Sequence, residues 1–113
     1  MTKADLFDAL DAVAPTAYLM FPEPEDGQPA QFPPFICYYL PSADDVFADN
    51  SNYRRIYDLT VELYTDDVDE ELARQLEQVL AGLGITYNRD ETWIDTEKVF
   101  QTVYTGQVIF EED

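Results

Sequence analysis

Apolar and polar positions follow two periods along this chain, and the switches between them mark its elements. Leu6, Leu10 and Val13 recur at helical spacing, with Phe7 widening the stripe, which predicts a short N-terminal helix. Thr2 followed by Asp5 makes a capping box that opens it, and Asp5 favours the positive end of the helix dipole. Pro15 ends it, because the residue before a proline avoids the α region. Residues 16–21 and 35–40 read as extended, and the second stretch is apolar on both faces, as in a central or covered strand. Tyr57, Leu59, Val61 and Leu63 then alternate with Asp58, Thr60, Glu62 and Tyr64. That period of two predicts a long strand with one buried face and one largely wet face.

The clearest helix is predicted over 68–83, where Leu72, Leu76, Val79 and Leu83 form one stripe. Asp66 or Asp67 is placed to cap it, with Asp69, Glu70 and Glu71 in the first turn and Gly82 and Gly84 closing it. Glu70 and Arg74 are spaced for an i, i+4 pair, a gain of about 0.3–0.5 kcal/mol. A strand over 85–94 turns at Asp95-Thr96-Glu97 into a last strand over 98–110. There Phe100, Tyr104, Val108 and Phe110 share one face and Val99, Val103 and Ile109 the other, with Gly106 marking a bulge or bend. Two stretches read as exposed loops: 22–34, with five prolines, and 41–52, with Asp44, Asp45, Asp49 and Asn50. The order α-β-β-β-α-β-β predicts a single α+β domain over 1–113. It has two layers, a mostly antiparallel sheet with helices packed on one face.

Composition then narrows function. The chain has 113 residues, 24 acidic and 6 basic, for a formal net charge of −18 with no histidine. At 46% hydrophobic and 14% aromatic it is no disordered acidic tail. Its charge excludes a binder that grips phosphates with clustered Lys and Arg, so sequence-specific nucleic-acid binding is not expected. Neither a membrane span nor a secretory signal is read in it, which leads us to expect a soluble intracellular protein with no membrane partner. Cys37 is the only cysteine, which rules out an intrachain disulfide, and one Cys without His cannot supply a zinc site. Catalysis by Ser–His–Asp or Cys–His lacks its imidazole. Cys37 stands in an apolar run and reads as a small buried hydrophobe.

The acidic run 66–71 lacks the glycine and closing glutamate of a calcium loop, in register, and reads as ordinary helix-start chemistry. Among 24 acids, carboxylate pairs carry no information about glycoside chemistry. No catalytic residue, metal site or cofactor is therefore expected, and the chain reads as a non-enzyme. The remaining candidates are contact residues. Arg54 and Arg55, flanked by Tyr53 and Tyr57, hold two of the six positive charges. They read either as a clamp on a neighbouring copy's carboxylates or as local partners of Asp44, Asp45 and Asp49. Trp93 is a core or interface residue.

From Tyr57-Asp58-Leu59-Thr60-Val61-Glu62-Leu63-Tyr64-Thr65-Asp66 onward a family resemblance emerges. Glu71-Leu72, Leu76-Glu77, Leu80, Gly84-Ile85 and Tyr87 follow in order, then Glu91-Thr92-Trp93-Ile94, Glu97-Lys98 and Val103-Tyr104. Pro34-Phe35 and Asp49-Asn50 before Tyr53 belong to the same pattern, which covers about two-thirds of the chain. It resembles the small tail-terminator, tail-completion or head-tail joining proteins of long-tailed phages and prophages of Gram-positive bacteria. The resemblance implies a ring of identical subunits, a hexamer, at the head-proximal end of the tail tube. Such a ring stops tube growth and joins tube to neck, so the implied partners are itself and the tube and neck proteins. The implied location is the virion after assembly in the host cytoplasm. The charge of −18 also suits a different class, an acidic inhibitor that mimics DNA.

Overall fold

The computed structural model describes residues 1–21, 31–48 and 51–111, the side chains of 45–54 excepted. Its order is α1 (Lys3–Asp11), β1 (Thr16–Tyr18), β2 (Phe35–Tyr39), β3 (Ala43–Ala48), β4 (Ser51–Thr65), α2 (Glu70–Gly82), β5 (Tyr87–Ile94) and β6 (Val99–Ile109). The strands make one six-stranded sheet in the order β1-β2-β4-β6-β5, with β3 also on β4. Every pairing is antiparallel except β1 with β2. Leu6 and Leu10 of α1 and Ala73, Leu76 and Leu80 of α2 form one buried cluster with Ile36, Tyr38, Leu59, Val61, Leu63, Tyr104 and Val108 of the sheet. This is the expected two-layer α+β architecture.

Local chemistry explains the boundaries. Thr2 caps α1 by accepting from Asp5 N–H at 3.1 Å while the Asp5 carboxylate accepts from Thr2 N–H at 2.9 Å, the reciprocal capping box. α2 starts later than the acidic run suggests, because its cap is Asp69, whose carboxylate accepts from Leu72 N–H at 3.0 Å. Asp67 is used one turn earlier, accepting from Val68 N–H, and its carbonyl takes the Thr65 hydroxyl. The buried line of α2 is Ala73, Leu76 and Leu80, with Leu72 and Leu83 at its margins. At the other end Gly84 takes φ 78°. Ile85 N–H reaches Leu80 C=O at 2.9 Å and Gly84 N–H reaches Ala81 C=O at 3.0 Å, a Schellman closure that turns Ile85 into the core. In the hairpin from β5 to β6, Lys98 belongs to the turn, at φ 55°.

Three expectations change. Residues 43–48, read as part of an exposed loop, form β3, because the long β4 overhangs the rest of the sheet and offers it a partner. β2 and β3 run along the same edge of β4, against 60–64 and 51–57, interrupted at Pro41, which has no N–H to give. Ladder pairing of β4 with β6 stops at Ile56, so Ser51–Arg55 and β3 extend as a two-stranded arm, and the molecule measures 54 × 33 × 24 Å. Second, the far face of β4 is not simply wet: Thr60 is buried there. On that face Phe35 stacks on Tyr64 at 4.8 Å and Phe21 meets Phe35 edge-on. Third, the register of β6 is unbroken at Gly106, so Gly106 is not a bulge. It is a notch: a Cβ there would lie 2.4 Å from the Thr86 carbonyl oxygen.

Gly106→Ala is therefore expected to cost about 2 kcal/mol and lower Tm on the order of 10 °C, because backbone must shift. Gly82→Ala, with nothing within 4 Å of its Cβ and a helical position, should stabilise by about 0.5–1 kcal/mol. Thermal melts of the two variants side by side test the contrast, and equal shifts would refute it.

Candidate interaction surfaces

Register decides which predicted contact residues meet. β3 against β4 sets Asp45 opposite Arg55, Asp44 opposite Ile56 and Val46 opposite Arg54, with an irregularity after Val46. Opposite charges across an antiparallel ladder contribute roughly 0.2–1 kcal/mol. Tyr53 continues the same strand, and Asp49 lies outside the described residues. Arg55 makes an interaction within its own chain. Trp93 is not brought to the arm. It sits on β5 at the far edge of the sheet, opposite Phe100, 48% exposed, with its indole N–H toward Asp95 at 3.4 Å.

The strongest electrostatic site is one that spacing did not announce. Arg89 on β5 donates to Glu77 of α2 at 2.7 Å, to Glu70 of α2 at 3.0 Å and to its strand neighbour Glu91 at 2.6 Å. The same Glu77 oxygen accepts the buried Tyr104 hydroxyl at 2.8 Å. One guanidinium thus ties α2 to β5, with Glu77 bridging to β6. Arg74, expected to pair with Glu70, pairs with Glu71 instead at 3.1 Å, because Glu70 is committed to Arg89. Burial and the Glu77 carboxylate hold the Tyr104 phenol neutral, far above its ordinary range. Only a three-dimensional neighbourhood reveals this group, since Arg89 is separated by 12 and 19 residues from its helix partners.

The sheet face away from the helices carries a second polar group. Cross-strand register aligns Cys37, Glu62 and Val103 in one row and Phe35, Tyr64 and Gln101 in the next. Gln101 donates to the Tyr64 hydroxyl at 2.9 Å and to Glu62 at 3.3 Å, and Tyr64 donates to Glu62 at 3.3 Å. Desolvation pushes Glu62 above the usual carboxylate range, and burial beside that carboxylate pushes Tyr64 up to about 12. Burial also raises the Cys37 thiol, which is buried as the sequence suggests. Among the described residues no group of three or more His, Cys, Asp or Glu side chains is placed to hold a metal ion. No described helix is long and apolar enough to cross a membrane.

No protein-family model matches this chain, and comparison with curated proteins finds no match.

Two predictions follow from these polar groups. Arg89→Met should destabilise by about 2 kcal/mol in chemical denaturation, because it leaves the half-buried Glu77 without its cation. Restoring the loss by adding Glu77→Gln would identify the orphaned carboxylate as the cause, and no rescue would refute that account. Glu62 holds its proton more tightly folded than unfolded, so above its ordinary value of 4.5 rising pH removes stability. Glu62→Gln should therefore gain on the parent as pH climbs from 4 to 7; a difference independent of pH would sink the assignment.

Proposed function

We propose that this chain is a structural component of a phage virion, a tail terminator that assembles with copies of itself into a ring. The ring caps the tail tube at its head-proximal end and presents a surface to the neck. The observation that carries this reading is the arm made by β3 and Ser51–Arg55. A two-stranded ribbon is marginal alone in water, and among the described residues this one has no third strand beyond Ile56. Such an arm gains stability when a neighbour supplies further contacts, which is what an assembling subunit does. Its sequence places Asp44 and Asp45 on one strand and Arg54 and Arg55 on the other, so both signs of charge occur along the ribbon. The run of motif residues from 53 to 104 supports the same reading. Tube and neck proteins are the further partners, and the virion is the place of action.

A second reading from another class rests on a different observation. Arg74, Arg89 and Lys98 are each paired with acids of their own chain, so the carboxylate excess is left for solvent or a basic partner. That suits an acidic inhibitor occupying a nucleic-acid-binding protein.

Light scattering after size exclusion, at low and at 1 M salt, separates the two. The Debye length falls from about 10 Å at 0.1 M to about 3 Å at 1 M, which screens the self-repulsion of a −18 subunit. A discrete oligomer favoured by salt is expected. Reversing Arg54 and Arg55 to Glu together should weaken it at least about tenfold while shifting Tm by no more than about 3 °C. A monomer at every salt, with binding to a basic protein that duplex DNA competes away, would favour the inhibitor.

A further inference from the structure

With 24 acidic and 6 basic side chains, most of this surface repels a second copy. Two regions differ. No residue from 12 to 21 or from 31 to 43 has a charged side chain, and these stretches build the edge formed by β1 and β2. There Tyr18, Leu19, Met20 and Phe32 are 52, 54, 65 and 70% exposed. Together the four expose on the order of 400 Å² of apolar surface, about half of one side of a standard interface. Leu19 adds an independent signal, because it holds φ 70°, a conformation that glycine or asparagine adopts at far lower cost. Its N–H donates to Tyr38 C=O at 2.7 Å and Met20 N–H to Tyr18 C=O at 2.9 Å. The backbone is thereby pinned with two adjacent apolar side chains standing in water.

The other region lies elsewhere on the molecule. β5 pairs with β6 only as far as Gly106, so residues 107–109 have no β5 neighbour. A groove of about 350 Å³ opens at this point, lined chiefly by Met1, Ile56, Leu83, Ile85, Val108 and Ile109. None of its lining side chains is charged, and at its rim the Met1 ammonium is already paired with Glu111. The patch lies on and just after β1, whereas the groove lies over β4, β6 and the end of α2, so the contact joins two different parts of the surface.

We propose that the Leu19–Met20 prominence of one copy seats in the Ile56–Leu83–Ile109 groove of the next. This names the subunit contact within the ring reading above and rests on it. The occupant is a second copy because, among the described residues, patch and groove lining carry no charged side chain and the rim carboxylate Glu111 is already paired with the Met1 ammonium, so their contact avoids the repulsion that the rest of the surface would bring. A basic partner would seek the carboxylates instead and gain nothing from an apolar prominence. The contact is head-to-tail, so its repetition closes a ring if the rotation permits.

Three variants test it by light scattering at 1 M salt: Leu19→Asn, Met20→Glu and Ile109→Glu. Asparagine tolerates the left-handed region, so Leu19→Asn should keep the subunit's Tm while weakening association about 100-fold. Met20→Glu alters a side chain 65% exposed and serves as a second patch variant with little bearing on the fold. Each single variant should run as monomer where the parent is assembled. An equimolar mixture of Leu19→Asn and Ile109→Glu should give a dimer and nothing larger, since one intact patch and one intact groove remain. A parent oligomer retained by all three variants would overturn this contact and leave the ring reading standing. A parent that is monomeric at every concentration and salt would remove both, and full-sized oligomers on mixing would show the contact is not head-to-tail.

Discussion

Burial of one face of β4 is the interaction on which the rest of the molecule depends. Leu59, Val61 and Leu63 are each at most 2% exposed and belong to one buried cluster with residues of both helices and of β2 and β6. Side chains of this size stabilise by roughly 1.5–3 kcal/mol each when removed from water. β2, β3 and β6 all pair directly with β4, and β1 and β5 hang on those. A slip of one residue would exchange this row for Asp58, Thr60 and Glu62 and drive two carboxylates under the helices. The register of five other strands is thus set by one alternation.

Charge imposes the second constraint. A chain so acidic has few cations to place, and three of them are spent on joints inside the molecule. Lys98 closes the β5–β6 turn through Asp95, Arg74 braces α2, and Arg89 gathers three carboxylates between helix and sheet. Lys3 lies over the rings of Tyr57 and Phe110, tying α1 to the ends of β4 and β6. The charge left over is predominantly acidic, which favours contact with other molecules through neutral regions or with positive partners.

Legibility in the sequence followed the range of each interaction. The capping box of Thr2 and Asp5, the alternation from Tyr57 to Tyr64 and the buried Cys37 are local patterns, and each was readable from neighbours a few positions away. β3 was hidden because Asp44 and Asp45 carry turn-like chemistry, and only the overhang of β4 makes them a strand. The cap of α2 was ambiguous among consecutive acids, where geometry rather than composition selects Asp69. Arg89 looked like one charge among many, since its partners come from a helix a dozen or more residues earlier. Gly106 showed as a break in pattern, but its cause, the approach of the Thr86 carbonyl, is tertiary. Of the arm residues, Arg54, Arg55, Asp44 and Asp45 do share one ribbon, while Trp93 belongs to the other edge.

The two edges of the main sheet are finished differently. Along the three-residue β1, Asp11 at the end of α1 accepts the Thr16 N–H at 3.1 Å, and the Tyr18 carbonyl is taken by Met20 N–H. β5 is longer but carries Arg89, Asp90 and Glu91 at its middle. Runaway stacking of strand upon strand, the route from a sheet to an insoluble fibre, is thus blocked at one end by hydrogen bonds and at the other by charge. A protein rich in tyrosine and phenylalanine is thereby kept from pairing strand on strand through the two edges of its main sheet.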